Sequence, residues 1–167
     1  MRSVIPVTGA LTLRPLRVDD AAEMSIVLAD RSLYQFTGGS PPTPQELRSL
    51  YQVQTRGGSA DGTERWINFA VVVEGALVGY VQATVPVDGG PAEIAWVIGR
   101  AWQGRGCATQ AARLLAQGLA ADGVDSMIAH IHPQHEASER IAVRLGMSPT
   151  DVVVDGETRW EGRTEQA

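Results

Sequence analysis

The residues Gln103-Gly104-Arg105-Gly106-Cys107-Ala108-Thr109 carry the strongest chemical signal in the sequence. Ala111, Leu114, Leu115 and Gly118 follow at helical spacing, so this small-residue stretch is the turn into a helix. The first N–H groups of a helix have no carbonyl partner within it and stand at the positive end of its dipole. Gly104 and Gly106 keep the approach to those amides open, and Arg105 adds a cation; together they make a cradle for phosphate or pyrophosphate. Around the cradle stand residues that could move protons or attack. Glu93, on the preceding apolar strand, is the best candidate general base if burial raises its pKa. Its plainer reading is a solvated or arginine-paired carboxylate. Ser138 is a candidate hydrogen-bond donor, or simply a first-turn serine satisfying its own helix. Cys107 at a helix N-terminus invites a nucleophilic reading, but a lone cysteine more often packs as a small hydrophobe. His130, His132 and His135 suggest a metal, yet no carboxylate or cysteine completes a familiar spacing, and no metal is expected.

The elements that must position these residues alternate in period. Leu11 and Leu13 mark a first strand, and Asp20 with Glu23 reads as the capping pair of a helix running to about Leu28. Thr43-Pro44-Gln45-Glu46 opens a second helix through Leu47, Leu50, Tyr51 and Gln54. Residues 57–62 read as a flexible glycine-rich loop. From Trp66 the period is two: Ile67, Phe69, Val71 and Val73 share one strand face, Glu74-Gly75 is a turn, and Leu77 to Val85 returns. Asp88-Gly89-Gly90-Pro91 turns the chain into the strand Ala92 to Ile98 that feeds the cradle helix. A strand from Met127 to His132, a helix from Glu136 to Leu145 and a hairpin turning at Asp155-Gly156 complete the pattern. Strands and helices in this order make an α+β fold with a mixed, mostly antiparallel sheet.

With 167 residues the chain suits one domain spanning 1–167. Its net charge of -5 argues against binding nucleic-acid backbones and favours cationic or amine substrates. One cysteine excludes an internal disulfide, and no apolar run approaches a membrane span or a secretion signal, so the expected location is the cytoplasm. Trp66, Trp96, Trp102 and Trp160 read first as core or rim packing. Known phosphate loops fail on specific residues: the chain has no lysine for a nucleotide-hydrolase loop, and Thr109 stands where a dinucleotide fingerprint needs its third glycine.

A third pattern fits. Gln103-Gly104-Arg105-Gly106-Cys107-Ala108 matches the Q/R-x-x-G-x-G/A signature and resembles the GCN5-related N-acetyltransferase (GNAT) family. The stretch from Ile128 through Pro133 to Ser138, then Leu145-Gly146-Met147, is similar to the family's "strand, P-x-N-x-x-S, helix, L-G-F" segment. Leu11-Thr12-Leu13-Arg14-Pro15-Leu16 with Asp19-Asp20 resembles the opening of its ribosomal-protein alanine acetyltransferase branch. The resemblance implies the acyl-CoA N-acyltransferase fold, acetyl-CoA as cosubstrate, and transfer of its acetyl group to a primary amine by direct attack. It also implies a role for each residue. Gly104 to Thr109, introduced by Gln103, hold the coenzyme pyrophosphate on their amides, and the backbone near Trp96, Val97 and Ile98 pairs with the pantetheine arm. Glu93 acts as base and Ser138 contacts the sulfur. His135 stands where the family usually has Asn, and no tyrosine follows Tyr80, so the usual late tyrosine acid is missing and Ser138 or water must substitute. One of the paired strand histidines, His130 or His132, is an alternative base. The acceptor is a small molecule or a protein N-terminus, with an antibiotic amine and a catalytically silent coenzyme-binding protein as alternatives. A homodimer through the Val152 hairpin is compatible with the pattern.

Overall fold

Side chains between Ile67 and Val73 enter two cores in alternation. Ile67, Phe69 and Val71 belong to one apolar cluster, while Ala70, with Val72 packed against it, belongs to another. A strand buried on both faces needs a layer of helix on each, and the computed structural model, which describes residues 5–6 and 11–167, has that arrangement. Its elements are β1 (Ile5–Pro6), β2 (Leu11–Pro15), α1 (Ala21–Val27), α2 (Pro44–Gln54), β3 (Glu64–Val73), β4 (Ala76–Pro86), β5 (Ala92–Ile98), α3 (Cys107–Ala121), β6 (Ser126–Ile131), α4 (Glu136–Arg144), β7 (Ser148–Val154) and β8 (Glu157–Arg163). The strands form one sheet in the order β1-β2-β3-β4-β5-β6-β8-β7. Every pairing is antiparallel except the parallel one between β5 and β6. Helix α3 covers one face through Ala111, Leu115 and Leu119, joined by Ala142 of α4. Helices α1 and α2 cover the other through Met24, Leu47 and Tyr51.

Local chemistry accounts for most boundaries. Thr43 and Glu46 form a reciprocal capping box at α2, with Glu46 N–H donating to Thr43 Oγ1 (3.1 Å) and Thr43 N–H to Glu46 Oε2 (2.9 Å). The hairpins β3–β4 and β7–β8 both turn on two left-handed residues, Glu74-Gly75 and Asp155-Gly156, which is the backbone that matches strand twist.

Three expectations need correction or refinement. Asp20 does not cap α1: its carboxylate takes two bonds from the Arg14 guanidinium (2.7 and 2.9 Å) and one from Arg17 N–H (2.8 Å). A paired, charge-assisted fork outcompetes a cap for the same oxygens, and Glu23 instead accepts from Leu77 N–H (3.4 Å). Residues 57–62, expected as a flexible glycine-rich loop, form a loop that side chains tie together. Asp61 Oδ1 accepts from Ser59 Oγ, Thr63 Oγ1 and Thr63 N–H, which ties the loop into a knot at the start of β3. The final hairpin is longer than its valines imply, and β8 inserts between β6 and β7.

Candidate active site

At the cradle, Gly104 and Gly106 have φ of +76° and +79°, the left-handed region that glycine adopts without strain. A Cβ at either would meet nothing within 4 Å, so the approach is open. Gly106 is the N-cap of α3 and offers no capping oxygen; the first bond into the helix runs from Gln110 N–H to Gly106 O (3.0 Å). The amides of Cys107, Ala108 and Thr109 therefore lie ahead of the helical ladder, at its positive end. Cys107 and Thr109 are buried, so they offer backbone and not side chain, and the Cys107 thiol packs in the core instead of standing as a nucleophile. Gln103 Nε2 donates to Ile98 O (3.0 Å) and clamps the cradle to the end of β5.

Next to the cradle the sheet opens. β5 and β6 pair only at Ala92–Met127 and Glu93–Ile128, although both strands run on to Ile98 and Ile131. On its other side β5 stays paired with β4 up to Gly79–Ile98, and Gly99 N–H donates to Val78 O (2.8 Å). Antiparallel pairs alternate between bonded and non-bonded partners, so the peptide groups of Ala95, Val97 and Gly99 point to β4, while those of Ile94, Trp96 and Ile98 point to the gap. Gln103 bonding to Ile98 O agrees with that alternation. Trp96 and Ile98 thus present backbone to the opening. Val97 lines it only by its side chain, because its peptide groups belong to the ladder with Tyr80.

A cleft of about 1050 Å³ follows the gap from the cradle to the start of α4. Two expected residues are not on its wall. Arg105 lies over the Trp102 ring, 5.0 Å from the centroid. Glu93 is half exposed and sits behind His130, whose Nδ1 is 2.8 Å from Glu93 Oε1. The Arg159 Nε–H donates to His130 Nε2 (3.3 Å), so that nitrogen is an acceptor and Nδ1 carries the proton donated to Glu93. Of the two readings of Glu93, a partly buried base or a solvated or arginine-paired carboxylate, the structure lies nearer the second: it is half exposed and hydrogen-bonded, with His130 as the partner. The wall carries cations that the motif did not reveal: Arg100, Arg140 and Arg144. At the far end Ser138, buried, lies 3.3 Å from His135 Nε2. Phe36 stacks on the His135 ring at 4.6 Å and touches that of His132 at 5.2 Å. Burial, and then the neighbouring His132, hold the His135 imidazole below its ordinary pKa, against a smaller opposite pull from Glu139. The three histidines do not converge, and no group able to hold a metal occurs among the described residues.

On the other face of the sheet a second pocket, of about 380 Å³, lies between Leu28 just past α1, Tyr34, α2 and strands β3 and β4. Tyr34, Tyr51, Asn68, Tyr80 and Gln82 stand on its wall, and Tyr80 and Gln82 also line the cleft. They pair across the sheet with Val97 and Ala95, beside the gap. Tyr80 and Gln82 thus belong to both walls.

A family model described as an acetyltransferase (GNAT) domain matches residues 10–148. The chain belongs to the GNAT acetyltransferase family. It is an acetyl-CoA-dependent N-acyltransferase. Among solved structures, it superposes on the ribosomal L7/L12 α-N-protein acetyltransferase RimL in complex with coenzyme A at a TM-score of 0.80 and 17% identity, covering 99% of this chain and 100% of that one. The microcin C7 self-immunity acetyltransferase MccE, in complex with acetyl-CoA and AMP, gives 0.80 at 15% identity, with 98% and 97% covered. RimJ of Mycobacterium smegmatis, in complex with a coenzyme A disulfide, gives 0.76 at 21%, with 98% and 88% covered. Likeness at these identities concerns the fold. No curated protein sequence matches the chain significantly.

The GNAT cosubstrate fits the residues present. Uncapped amides, left-handed glycines with open space before them and three wall arginines suit a pyrophosphate and its phosphates. No acidic side chain occurs between Gln103 and Gln110 to oppose them. What sequence reasoning missed is the tyrosine pocket, whose residues are scattered over α2, β4 and the segment between α1 and α2. No local spacing joins them.

Proposed function

We propose that this GNAT enzyme acetylates a primary amine that reaches the opening between β5 and β6 from the tyrosine pocket. The observation carrying this reading is that cleft and pocket share Tyr80 and Gln82 as wall residues, beside the unpaired edge of β5. Bound acetyl-CoA supplies the activated thioester carbonyl. The amides of Gly104 to Thr109, together with Gln103, hold the pyrophosphate, and the outward peptide groups of Trp96 and Ile98 hold the pantetheine arm. One of those N–H groups, aimed at the carbonyl oxygen, stabilises developing charge, a contact worth about 3 kcal/mol in comparable sites. Glu93, through water, takes the proton that the amine loses as its nitrogen bonds the carbonyl carbon and the C–S bond breaks. His130 holds that carboxylate in place, and Arg159 fixes the histidine tautomer. Ser138, steadied by His135, donates toward the departing sulfur. No late tyrosine is needed, since a thiolate of ordinary acidity leaves readily.

The acceptor is a small molecule or a protein N-terminus. RimL and RimJ as structural neighbours support the second, and MccE, solved with a nucleotide, supports the first. We place the enzyme in the cytoplasm as a single domain over 1–167; among the described residues no helix is long and apolar enough to cross a membrane. Calorimetry with acetyl-CoA, then thiol release across amines and peptide N-termini, tests the proposal. Binding with amine-dependent release is the expected result. Binding without release from any acceptor would leave a catalytically silent coenzyme-binding protein, and no binding would refute the cradle.

A further inference from the structure

Among the described residues, only Tyr80 and Gln82 line both the pocket and the cleft. They stand two residues apart on β4 and so share a face, while Val81 and Ala83 turn into the core under α3. Neither side chain has a hydrogen-bond partner among the described residues, and the polar atoms of both are open to solvent. The side-chain atoms that are both unpaired and sealed are Tyr51 Oη and Trp160 Nε1. The pocket's other polar groups are engaged or belong to the pocket alone. Tyr34 Oη donates to Leu28 O (2.8 Å), Asn68 Nδ2 donates to Gln54 O (3.4 Å), and Glu46 closes the α2 capping box. The Gln54 carboxamide does not reach the cleft wall.

The register sets Gln82 beside Glu93. Ala92, Ile94 and Ile98 enter the core under α3, which leaves Glu93, Ala95 and Val97 on the face of Gln82. Gln82 pairs with Ala95 and Thr84 with Glu93, so Gln82 and Glu93 are diagonal neighbours, and the side chains at the two corners between them are small. Diagonal pairs stand about 7–8 Å apart, a span that an amine nitrogen and one water fill. Tyr80 stands opposite Val97, one pleat away. Burial, and then the neighbouring Tyr34, pushes its phenol up to about 12, so it is a neutral hydroxyl on the approach and no second base.

We infer that Gln82 is a catalytic residue that aims the acceptor nitrogen and restricts the enzyme to primary amines. This rests on Glu93 being the base of the proposed reaction. An attacking nitrogen points its lone pair at the thioester carbon, which leaves a primary amine two N–H groups to place. One donates to Gln82 Oε1, the other to the water that leads to Glu93. As the N–C bond forms and the C–S bond breaks, its electron pair leaving with sulfur, the second proton passes through that water to Glu93. The first stays on the product amide, at Gln82. A carboxamide is neutral, so it accepts an N–H without holding the nitrogen as ammonium, as a carboxylate there would. A secondary amine has one N–H, which it surrenders to the base, and it leaves Gln82 unpaired.

The test uses hexylamine and alanyl-alaninamide, each beside its N-methyl analogue, with wild-type protein, Gln82→Met and Gln82→Ala. Acetyl-CoA affinity by calorimetry and the melting temperature are followed alongside. Wild type is expected to prefer each primary amine to its N-methyl analogue by roughly tenfold or more in kcat/KM. Both variants should lose about that factor on the primary amines, mainly in kcat, and little on the N-methyl amines, with acetyl-CoA affinity and melting temperature kept. A substitution that merely loosened the fold would slow both kinds of amine alike. A preference that survives both substitutions overturns the inference, and so does an equal loss on both kinds of amine. Absence of the preference in wild type overturns it too, as does a wild-type protein that binds acetyl-CoA and acetylates neither primary amine. An unchanged rate in Glu93→Gln is a different result and removes the base on which the inference rests. Failure to bind acetyl-CoA refutes the proposed function itself.

Discussion

The two halves of the proposed site are made of different material. On the coenzyme side the groups that matter are mostly backbone: the amides ahead of α3 and the outward peptide edge of β5 at Trp96 and Ile98. On the acceptor side they are side chains, tyrosines and carboxamides brought from α2, β3, β4 and the segment before α2. A backbone site tolerates many side chains as long as its φ angles and its open edge survive. A side-chain site changes with every substitution. A protein that must keep one cosubstrate while its acceptor varies is well served by that division.

The division can be broken from either side. The largest effect is expected from Gly106→Glu, which puts a carboxylate before the uncapped amides and an L-residue at a φ of +79°. Acetyl-CoA affinity should fall on the order of a thousandfold, while the left-handed strain costs only about 1–2 kcal/mol of stability. Calorimetry beside a melting curve separates the two, and unchanged affinity would remove the pyrophosphate from the cradle. Glu93→Gln comes next, with turnover down about a hundredfold and coenzyme affinity intact. If rate and pH profile stay as they were, Glu93 is not the base.

Asp20→Ala probes the acceptor half through its scaffold. It strands a largely buried Arg14 guanidinium at the foot of α1, and should cost about 2 kcal/mol in denaturant unfolding. Acceptor KM should rise with little change in coenzyme affinity; a loss confined to coenzyme binding would contradict the division. The smallest effect is pH-linked. Because the native His135 imidazole is held below its ordinary 6.5, the unfolded chain takes up the proton first. Stability should therefore decline as pH falls below about 6.5 and level off once the native ring is protonated too. Unfolding midpoints measured down that range should lose this slope in His135→Gln.

The coenzyme half was legible because its geometry demands particular residues. Left-handed backbone at positions 104 and 106 calls for glycine, and Glu74-Gly75 and Asp155-Gly156 announce their hairpins in the same way. Side-chain partnerships were less legible. Asp20 looked like a cap because its distant competitor, the Arg14 fork, cannot be seen in a local window. Val97 looked equivalent to its neighbours until the ladder with Tyr80 fixed which way its peptide groups turn. Arg100, after β5, and Arg140 with Arg144, one turn apart on α4, reach one wall from two distant segments, and the motif's own Arg105 goes to Trp102 instead. Tyr51 was visible only as a core position of α2, because an orphaned hydroxyl is a property of its surroundings.

The gap between β5 and β6 has a consequence for how the enzyme is made. β6 holds β5 at only two residue pairs, whereas it is laddered to β8 at six, from Ser126–Arg163 to Ile131–Thr158. During synthesis β6 therefore waits for a strand that emerges some thirty residues later, roughly two to six seconds at ordinary elongation rates. Until then one wall of the cleft is nearly unsupported and His130 lacks Arg159. The nascent protein can assemble its acceptor pocket before it can assemble its coenzyme cleft, and for that interval a bare strand edge is exposed to any neighbouring chain.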